Sequence, residues 1–247
     1  MSDLDYKEVT DYLTDWLTEK IKGANKSGGI VGLSGGIDSA VTAALLKRAA
    51  DIETFGLIMP CHSNGEDRED AILVADTLNI DYDELDLSKH YDLLLEDLKS
   101  LMPGEDKLAE ANIKPRLRMI SLYYLAARKN YLVIGTDNWS ELFTGYFTKF
   151  GDGGIDLAPL GRLVKTEVRE LARYLDIPDK IIERKPSAGL WTEQTDEEEM
   201  GVSYEILDKY ILGEDVKESD KERIEELRDS ARHKLNMPPI PERKVFK

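Results

Sequence analysis

The 247-residue sequence has very little cysteine and no long apolar run. Its single cysteine, Cys61, excludes an internal disulfide and a four-cysteine zinc site, and it fits a reducing compartment. No uninterrupted apolar stretch approaches the roughly 18 residues that cross a bilayer, so we expect no membrane partner. The first residues also lack the basic-then-apolar order of a secretory signal. Together these absences predict a cytoplasmic protein.

Positive charge is scarce as well. The sequence has 33 lysines and arginines against 49 aspartates and glutamates, which gives a net charge of −16. Binding to a nucleic-acid backbone requires a basic surface, so we expect no nucleic-acid partner. The 18 glycines and 9 prolines are too few for a fibrous or low-complexity chain. The composition therefore predicts a globular protein with an acidic, solvated surface.

Short apolar runs alternate with helical patterns in the first 135 residues. The run at 29–33 predicts a buried strand, those at 54–59 and 131–134 predict further strands, and 82–87 predicts a weaker one. The segments between them have amphipathic helical spacing. This alternation predicts a parallel sheet with helices on both faces. Ligands bind beyond the carboxyl ends of such strands, so the loops at Ser34, Pro60 and Gly135 should converge on one site.

The remaining segments are mostly helical in pattern. The helical stretch over 107–129 should be kinked or split at Pro115. Residues 185–200 are predicted to form a loop whose acidic run, 196–199, is solvated. Two surface helices are predicted over 203–212 and 218–235.

The segment LSGGIDSA lies between the first predicted strand and the following helix. Its two glycines allow a tight turn and close approach of a ligand to the backbone. The helix that follows offers free N–H groups and a favourable dipole to an anion. Asp38 inside such a site is costly unless it holds a cation, and Mg²⁺ on phosphates is the usual one. A helix-capping loop is the alternative interpretation.

The motif SGGIDS resembles the signature of ATP pyrophosphatases, the PP-loop superfamily, which cleave ATP between the α and β phosphates. Over nearly its whole length the chain resembles ammonia-dependent NAD synthetases of that superfamily. The segments that match are GLSGGIDSA, MPCHSNGEDREDA, NIKPRLRM, GTDNWSELFTGYFTKFGDGGIDLAPL, RLVKTEV, KPSAGLW and RHKLNMPP. Of these, TKFGDGG is much more specific than the PP-loop.

The resemblance implies a ligase that converts deamido-NAD (nicotinic acid adenine dinucleotide) to NAD. ATP adenylates the nicotinate carboxylate, and free ammonia then displaces AMP; pyrophosphate is the other product. It also implies Mg²⁺ as cofactor, a homodimer with the dinucleotide near the subunit interface, and residues 1–247 as one synthetase domain. The implied fold is a doubly wound, mostly parallel five-stranded α/β sheet of the adenine nucleotide α-hydrolase type.

Residues that match ATP contacts of the family lie in the PP-loop and in three later segments. Asp38 and Glu141 match its magnesium ligands and, with Lys165, its catalytic groups. A lysine at a helix start is unfavourable for the helix dipole, which favours a ligand role for Lys165. Serine replaces the family's usual threonine at Ser187. The implied ATP-binding set is Gly32, Leu33, Ser34, Gly35, Gly36, Ile37, Asp38, Ser39, Thr136, Lys165 and Ser187.

Five further residues match deamido-NAD contacts: Arg116, Lys149, Asp156, His233 and Lys234. Local structural roles are the alternatives. Asp156 could form an Asx-turn, and basic groups such as His233 and Lys234 stabilise a helix C-terminus. Likewise Thr136 and Glu141 could be an N-cap and a first-turn acidic residue.

Two other functions remain open on the sequence alone. Another PP-loop enzyme, such as a GMP synthetase-like subunit or a tRNA-modifying adenylase, would not explain TKFGDGG, and a tRNA enzyme should be basic. A non-catalytic nucleotide sensor would need neither a second carboxylate nor dinucleotide contacts. Glutamine-derived ammonia from a separate partner protein is also compatible with the sequence.

Overall fold

The structure, a computed structural model, describes residues 4–185 and 195–243. Within these ranges four strands form one parallel sheet in the order β3-β2-β1-β4. The strands are β1 (Gly28–Leu33), β2 (Glu53–Ile58), β3 (Asp81–Glu84) and β4 (Tyr131–Ile134). The helices are α1 (Tyr6–Gly23), α2 (Ile37–Arg48), α3 (Gly65–Leu78), α4 (Ser88–Leu101), α5 (Lys107–Ala111), α6 (Ile113–Lys129), α7 (Trp139–Thr144), α8 (Lys165–Tyr174), α9 (Asp179–Ile182), α10 (Asp196–Met200), α11 (Tyr204–Ile211) and α12 (Glu218–Leu235).

Both faces of the sheet are buried under helices. Along β1, Ile30 packs into the core beside α4 and α6, whereas Val31 and Leu33 pack into the core beside α1, α2, α3 and α8. The alternation follows from the period of two along a strand, and it explains why a doubly covered strand reads as a continuous apolar run. The predicted doubly wound α/β fold is therefore confirmed.

The described residues form four strands instead of the predicted five. Beyond β4 the chain makes one isolated parallel bridge, between Ile134 and Leu157, at the position where a fifth strand would pair. Leu157 lies in the glycine- and proline-containing segment after residue 150, which has turns on both sides of the bridge. Such residues weaken a ladder, so the segment contacts β4 without extending the sheet.

The order of the strands brings the carboxyl ends of β1 and β4 together. The chain runs outward from β1 to β2 and β3 on one side, and it returns to place β4 on the other side of β1. Beyond such a reversal the loops separate and leave a crevice. Ser34, Pro60 and Gly135 all line one cavity at this edge, which confirms their predicted convergence.

The helical stretch over 107–129 is split, but three residues before Pro115. Helix α5 ends at Ala111 and α6 begins at Ile113, so Pro115 occupies the first turn of α6. Proline is tolerated there because its missing N–H would have no partner within the helix. The split lies at Asn112, whose carboxamide oxygen accepts a hydrogen bond from Thr148 Oγ1 at 2.6 Å.

Within the described part of the predicted loop over 185–200, residues 196–200 are helical, so the loop prediction was wrong there. Glu197, Glu198 and Glu199 of the acidic run are exposed as predicted, but its first residue is buried. Asp196–Met200 is a helical turn, and Asp196 is 4% exposed. Met200, Tyr204, Leu207 and Ile224 form a third apolar core, against which Phe143 of α7 packs. The C-terminal helices thereby support the helix that follows β4. No helix of the described residues is long and apolar enough to cross a membrane.

Helix α7 ends where it meets α12. Gly145 has a left-handed φ of 65°, and a Cβ on this residue would overlap the Cβ of Ala231. Only glycine satisfies both the backbone conformation and the close approach. Gly213, after α11, has a similar φ of 83° but no neighbour within 4 Å of a Cβ.

This pair of glycines predicts two different losses of stability. Gly213→Ala should lower the free energy of unfolding by about 1–2 kcal/mol, because alanine disfavours the left-handed region. Gly145→Ala should lose a further 1–3 kcal/mol, roughly, because α7 and α12 must separate. Urea denaturation at one fixed protein concentration measures both. Equal losses would contradict the close packing of α7 on α12.

Candidate active site

The loop after β1 leaves the N-terminus of α2 open to the cavity. Gly36 is the N-cap of α2, and no side chain caps the helix. Gly35 has a left-handed φ of 79°, and a Cβ there would meet the backbone of Asp67. Ser34 Oγ accepts a hydrogen bond from Gly36 N at 3.2 Å and lies 3.1 Å from Ser39 Oγ. The turn is thus held by serines while the first N–H groups of α2 remain available to an anion.

Three charged side chains from three helices meet beside this loop. Lys165 Nζ donates to Asp38 Oδ2 at 2.6 Å and to Glu141 Oε1 at 3.1 Å. The lysine side chain is only 3% exposed. Asn138 Nδ2 also donates to Asp38, at 2.9 Å. Two carboxylates therefore converge on the space that a single cation fills.

Glu141 has a structural and an electrostatic role at once. Its Oε2 accepts a hydrogen bond from Asn138 N at 3.1 Å, and Asn138 Oδ1 accepts one from Glu141 N at 3.1 Å. This reciprocal capping box fixes the start of α7. The other oxygen, Oε1, faces Lys165. The N-cap is Asn138, so the alternative capping role for Thr136 was wrong.

Asp208 compensates for the lysine at the start of α8. Its Oδ2 accepts a hydrogen bond from Thr166 N at 2.7 Å, and its Oδ1 accepts one from Ser140 Oγ at 2.5 Å. Ser140 Oγ in turn accepts a bond from Lys165 N at 3.0 Å. A carboxylate at the positive end of α8 offsets the unfavourable placement of Lys165.

Tyr204 closes the cluster from the C-terminal side. It is fully buried, and its hydroxyl lies 3.0 Å from Asp196 Oδ2 and 3.4 Å from Glu141 Oε1. Sequence reasoning missed Asn138, Tyr204 and Asp196. The N-x-x-E spacing could have identified Asn138 as a cap. No local pattern relates Tyr204 to Glu141, because they lie 63 residues apart.

Burial and like charge shift the titration of the acidic groups. Burial and the charge of Asp38 raise the pKa of Glu141 to about 7, although Lys165 opposes the shift. Burial alone would lower the pKa of Lys165, but Asp38 and Glu141 raise it above its ordinary value. Burial, followed by Asp152, Glu141 and Asp38, raises the pKa of Asp137 well above that of a free carboxyl. Shifted groups concentrated in one cleft are typical of functional sites.

The cluster borders a cavity of about 990 Å³. This volume is at the upper end of the range for small-molecule sites. Arg118, on α6, enters the cavity and donates from Nε to the carbonyl oxygen of Met59 at 3.1 Å. The predicted site residues that line the cavity are Gly32, Leu33, Ser34, Gly36, Ile37, Asp38, Ser39, Thr136, Glu141, Lys165 and Lys234.

Four of the predicted deamido-NAD contacts lie outside the cavity lining. Arg116 Nη2 donates to the carbonyl oxygen of Lys149 at 3.4 Å, and Lys149 Nζ donates to that of His233. These three residues form one exposed basic group beside Lys234. Asp156 instead ties the segment after residue 150 to the sheet, because it accepts bonds from Val133 N at 2.8 Å and Tyr123 Oη at 3.1 Å. Ser187 lies outside the described residues.

Comparisons with known proteins identify relatives that match nearly the whole chain. The NAD synthase family model matches residues 9–238. The NH(3)-dependent NAD(+) synthetase of Carboxydothermus hydrogenoformans is 51% identical over 239 residues, which cover 96% of this chain and 98% of the relative.

Two solved structures resemble the fold closely. An NMN synthetase from Francisella tularensis superposes with a TM-score of 0.93 at 39% identity, covering 97% of this chain and 99% of that one. The NH3-dependent NAD synthetase from Campylobacter jejuni, solved with a nitrate ion, superposes with a TM-score of 0.80 at 32% identity. The overlap covers 97% of this chain and all of that one.

The raised pKa of Glu141 predicts a pH-dependent stability. Between pH 4.5 and about 7 the folded protein retains a proton that the unfolded chain has lost. The free energy of unfolding should therefore fall with rising pH relative to that of Glu141→Gln, which has no proton to lose. Denaturation of both proteins without metal or nucleotide, across this range, measures the difference. Parallel curves would show that Glu141 titrates normally.

Proposed function

This chain belongs to the NAD synthase family and amidates deamido-NAD with ammonia in an ATP-dependent reaction, and we propose that the cavity beyond β1 and β4 is its active site. The observation that supports this most is the convergence of Asp38, Glu141 and Lys165 beside the open N-terminus of α2. The nicotinate carboxylate attacks the α-phosphorus of ATP and pyrophosphate leaves. Ammonia then attacks the acyl adenylate, and AMP leaves with formation of the amide.

Asp38 and Glu141 fit a magnesium ion by their chemistry. Their carboxylate oxygens are ligands that Mg²⁺ prefers, and they already converge on one cation, the ammonium group of Lys165. Within residues 4–185 and 195–243, no three or more histidine, cysteine or acidic side chains are arranged to hold a metal. Two protein carboxylates suit an ion that takes its other ligands from phosphates and water. When bound, Mg²⁺ would offset the charge of the phosphates.

The PP-loop residues would bind the phosphates of ATP. The first amides of α2 and the hydroxyls of Ser34 and Ser39 are donors suited to phosphate oxygens. Lys165 Nζ would turn from the carboxylates toward the phosphates once a metal ion neutralises Asp38 and Glu141. Thr136 and Ser187 are proposed as further ATP contacts on the family match.

The basic group of Arg116, Lys149 and His233, with Lys234 inside the cavity, would bind the anionic dinucleotide. Arginine and lysine suit its phosphates. Asp156 is proposed to act at the same site, while its present hydrogen bonds hold the neighbouring segment to β4. Residues 1–247 are proposed to form one synthetase domain, and the free thiol of Cys61 fits a cytoplasmic location.

A homodimer is proposed from an apolar surface on α4 and α6. Leu94, Leu98 and Leu101 form an exposed stripe at helical spacing on α4, and α6 exposes Ile120 and Tyr124. Exposed apolar patches of this kind mark interfaces. Arg116, Ile120 and Tyr124 recur every four residues and share one face of α6. A second copy on this face would bring the dinucleotide-binding group close to the subunit boundary.

The similarity to an NMN synthetase supports a second substrate, the nicotinate mononucleotide. The reacting carboxylate would be the same, and only the adenosine monophosphate half of the dinucleotide would be missing. Incubation of the protein with ATP, Mg²⁺, ammonium and either deamido-NAD or nicotinate mononucleotide shows which of the two substrates is amidated. Equal amounts of NAD, AMP and pyrophosphate from deamido-NAD support the main function. ADP and phosphate as products would exclude cleavage at the α phosphorus.

Loss of either metal-binding carboxylate should abolish most turnover. Asp38→Asn and Glu141→Gln should each lower kcat/KM by roughly 10²- to 10³-fold or more, the size typical of losing one preorganised charge-stabilising group. Glu205→Gln, on the exposed surface of α11, is the matched control and should retain full activity. Steady-state assays of pyrophosphate release measure all three. Full activity of Glu141→Gln would contradict the proposal.

The apolar surface predicts a dimer that depends on Ile120. Ile120→Glu places a charge in the proposed interface and should yield a monomer by light scattering, with a higher KM for deamido-NAD. Tyr12→Glu changes an exposed aromatic on α1, in the opposite helical layer, and should leave the dimer intact. A dimeric Ile120→Glu variant would exclude this surface as the interface.

A further inference from the structure

Asp137 is a buried carboxylate to which the chemistry above assigns no role. It lies three residues after the end of β4, lines the same cavity as Thr136 and Glu141, and is 5% exposed. Its Oδ2 is buried and has no hydrogen-bond partner among the described residues. A buried carboxylate oxygen without a hydrogen-bond partner lowers the stability of the fold. Its presence at this position is explained if the oxygen binds a ligand.

The charges around Asp137 are mostly negative. Asp152, Glu141 and Asp38 all act to raise its pKa, and Lys165 is the cation that opposes them. The ammonium group of Lys165, however, donates hydrogen bonds to Asp38 and Glu141. A small cation bound in this part of the cavity would offset the repulsion between these carboxyl groups and favour the ionised form of Asp137.

Asp152 differs from Asp137 because its charge is compensated. Its Oδ1 accepts a hydrogen bond from Thr148 N at 2.9 Å. Burial raises the pKa of Asp152 as well, but backbone hydrogen bonds and the cations Arg118 and Lys234 oppose this shift. Asp137 has the free acceptor oxygen, whereas Asp152 has donors and cations of its own.

We propose that Asp137 binds the ammonium ion, the protonated form of the nitrogen substrate, through its free Oδ2. The proposal rests on the function proposed above. Each of the four N–H groups of ammonium donates one hydrogen bond. A free carboxylate oxygen can accept one of them in a charge-assisted hydrogen bond. A second magnesium ion would instead need several oxygen ligands in octahedral geometry. Asp137 adjoins Thr136, a proposed ATP contact, so the bound nitrogen would lie beside the acyl adenylate.

Adenylation and the attack of ammonia can be measured separately, which distinguishes ammonium binding from a role of Asp137 in adenylation. Adenylation needs no ammonium, so Asp137→Asn should release pyrophosphate in a first turnover at the wild-type rate. Its KM for ammonium should rise by roughly 10- to 100-fold, the effect expected for losing a hydrogen bond to a charged group. The KM values for ATP and deamido-NAD should stay unchanged.

Hydroxylamine provides a probe for charge. It is uncharged at neutral pH and attacks acyl adenylates to give a hydroxamate, so it gains little from an anionic anchor. Asp137→Asn should therefore use hydroxylamine almost as well as the wild type does. Asp137→Glu retains the charge and should recover part of the ammonium affinity. Asp229→Asn, on the exposed face of α12, makes the same charge change away from the cavity and should behave as wild type.

Several results would overturn the proposal. An unchanged ammonium KM in Asp137→Asn, or equal losses with ammonium and hydroxylamine, would exclude an ammonium anchor. Slower adenylation together with a higher Mg²⁺ requirement would assign Asp137 to the metal site instead. If Asp137→Asn does not fold, Asp137→Glu takes its place in the test. A wild-type ammonium KM together with impaired adenylation in Asp137→Glu would also overturn the proposal. Failure of the wild type itself to form NAD would instead contradict the proposed function.

Discussion

The bridge from Lys165 to Asp38 and Glu141 is the interaction on which the site depends. It joins the first turns of α2, α7 and α8. More than a hundred residues of chain lie between α2 and α8. Loss of one partner of a buried ion pair strongly destabilises the protein, because the remaining charge is then neither solvated nor paired. The three helices are therefore held in one arrangement by charges that are also positioned to bind a metal ion and phosphates.

The rest of the fold brings these helix starts to one place and supports them. The order in which the strands are added reverses at β1, with β2 on one side and β4 on the other, and this opens the crevice. The first turns of α2 and α7 border it. Asp208 and Ser140 stabilise the start of α8, and the capping box of Asn138 stabilises that of α7. The small core around Tyr204 then packs against α7 from the C-terminal side. Each contact restricts the position of a charged group, which is what catalysis by positioning requires.

Local patterns predicted most of what depends on neighbours in the sequence. The strand–loop–helix of LSGGIDSA, the convergence of three loops and the unusual lysine at the start of α8 all follow from spacing and helix electrostatics. The features that the sequence did not predict depend on contacts between distant segments of the chain. Tyr204 reaches Glu141 across 63 residues, and Asp156 bonds to β4 instead of closing a local turn. The free oxygen of Asp137 is likewise visible only once the fold shows which donors reach it.

The most direct test of this account is a crystal structure with Mn²⁺ in place of Mg²⁺ and an ATP analogue that cannot be cleaved between its α and β phosphates. Anomalous scattering locates the Mn²⁺ ion directly. The account predicts one ion bound by both Asp38 and Glu141, with Lys165 Nζ moved from at least one carboxylate to a phosphate oxygen. A metal ion bound away from these two carboxylates, with the bridge of Lys165 intact, would contradict it.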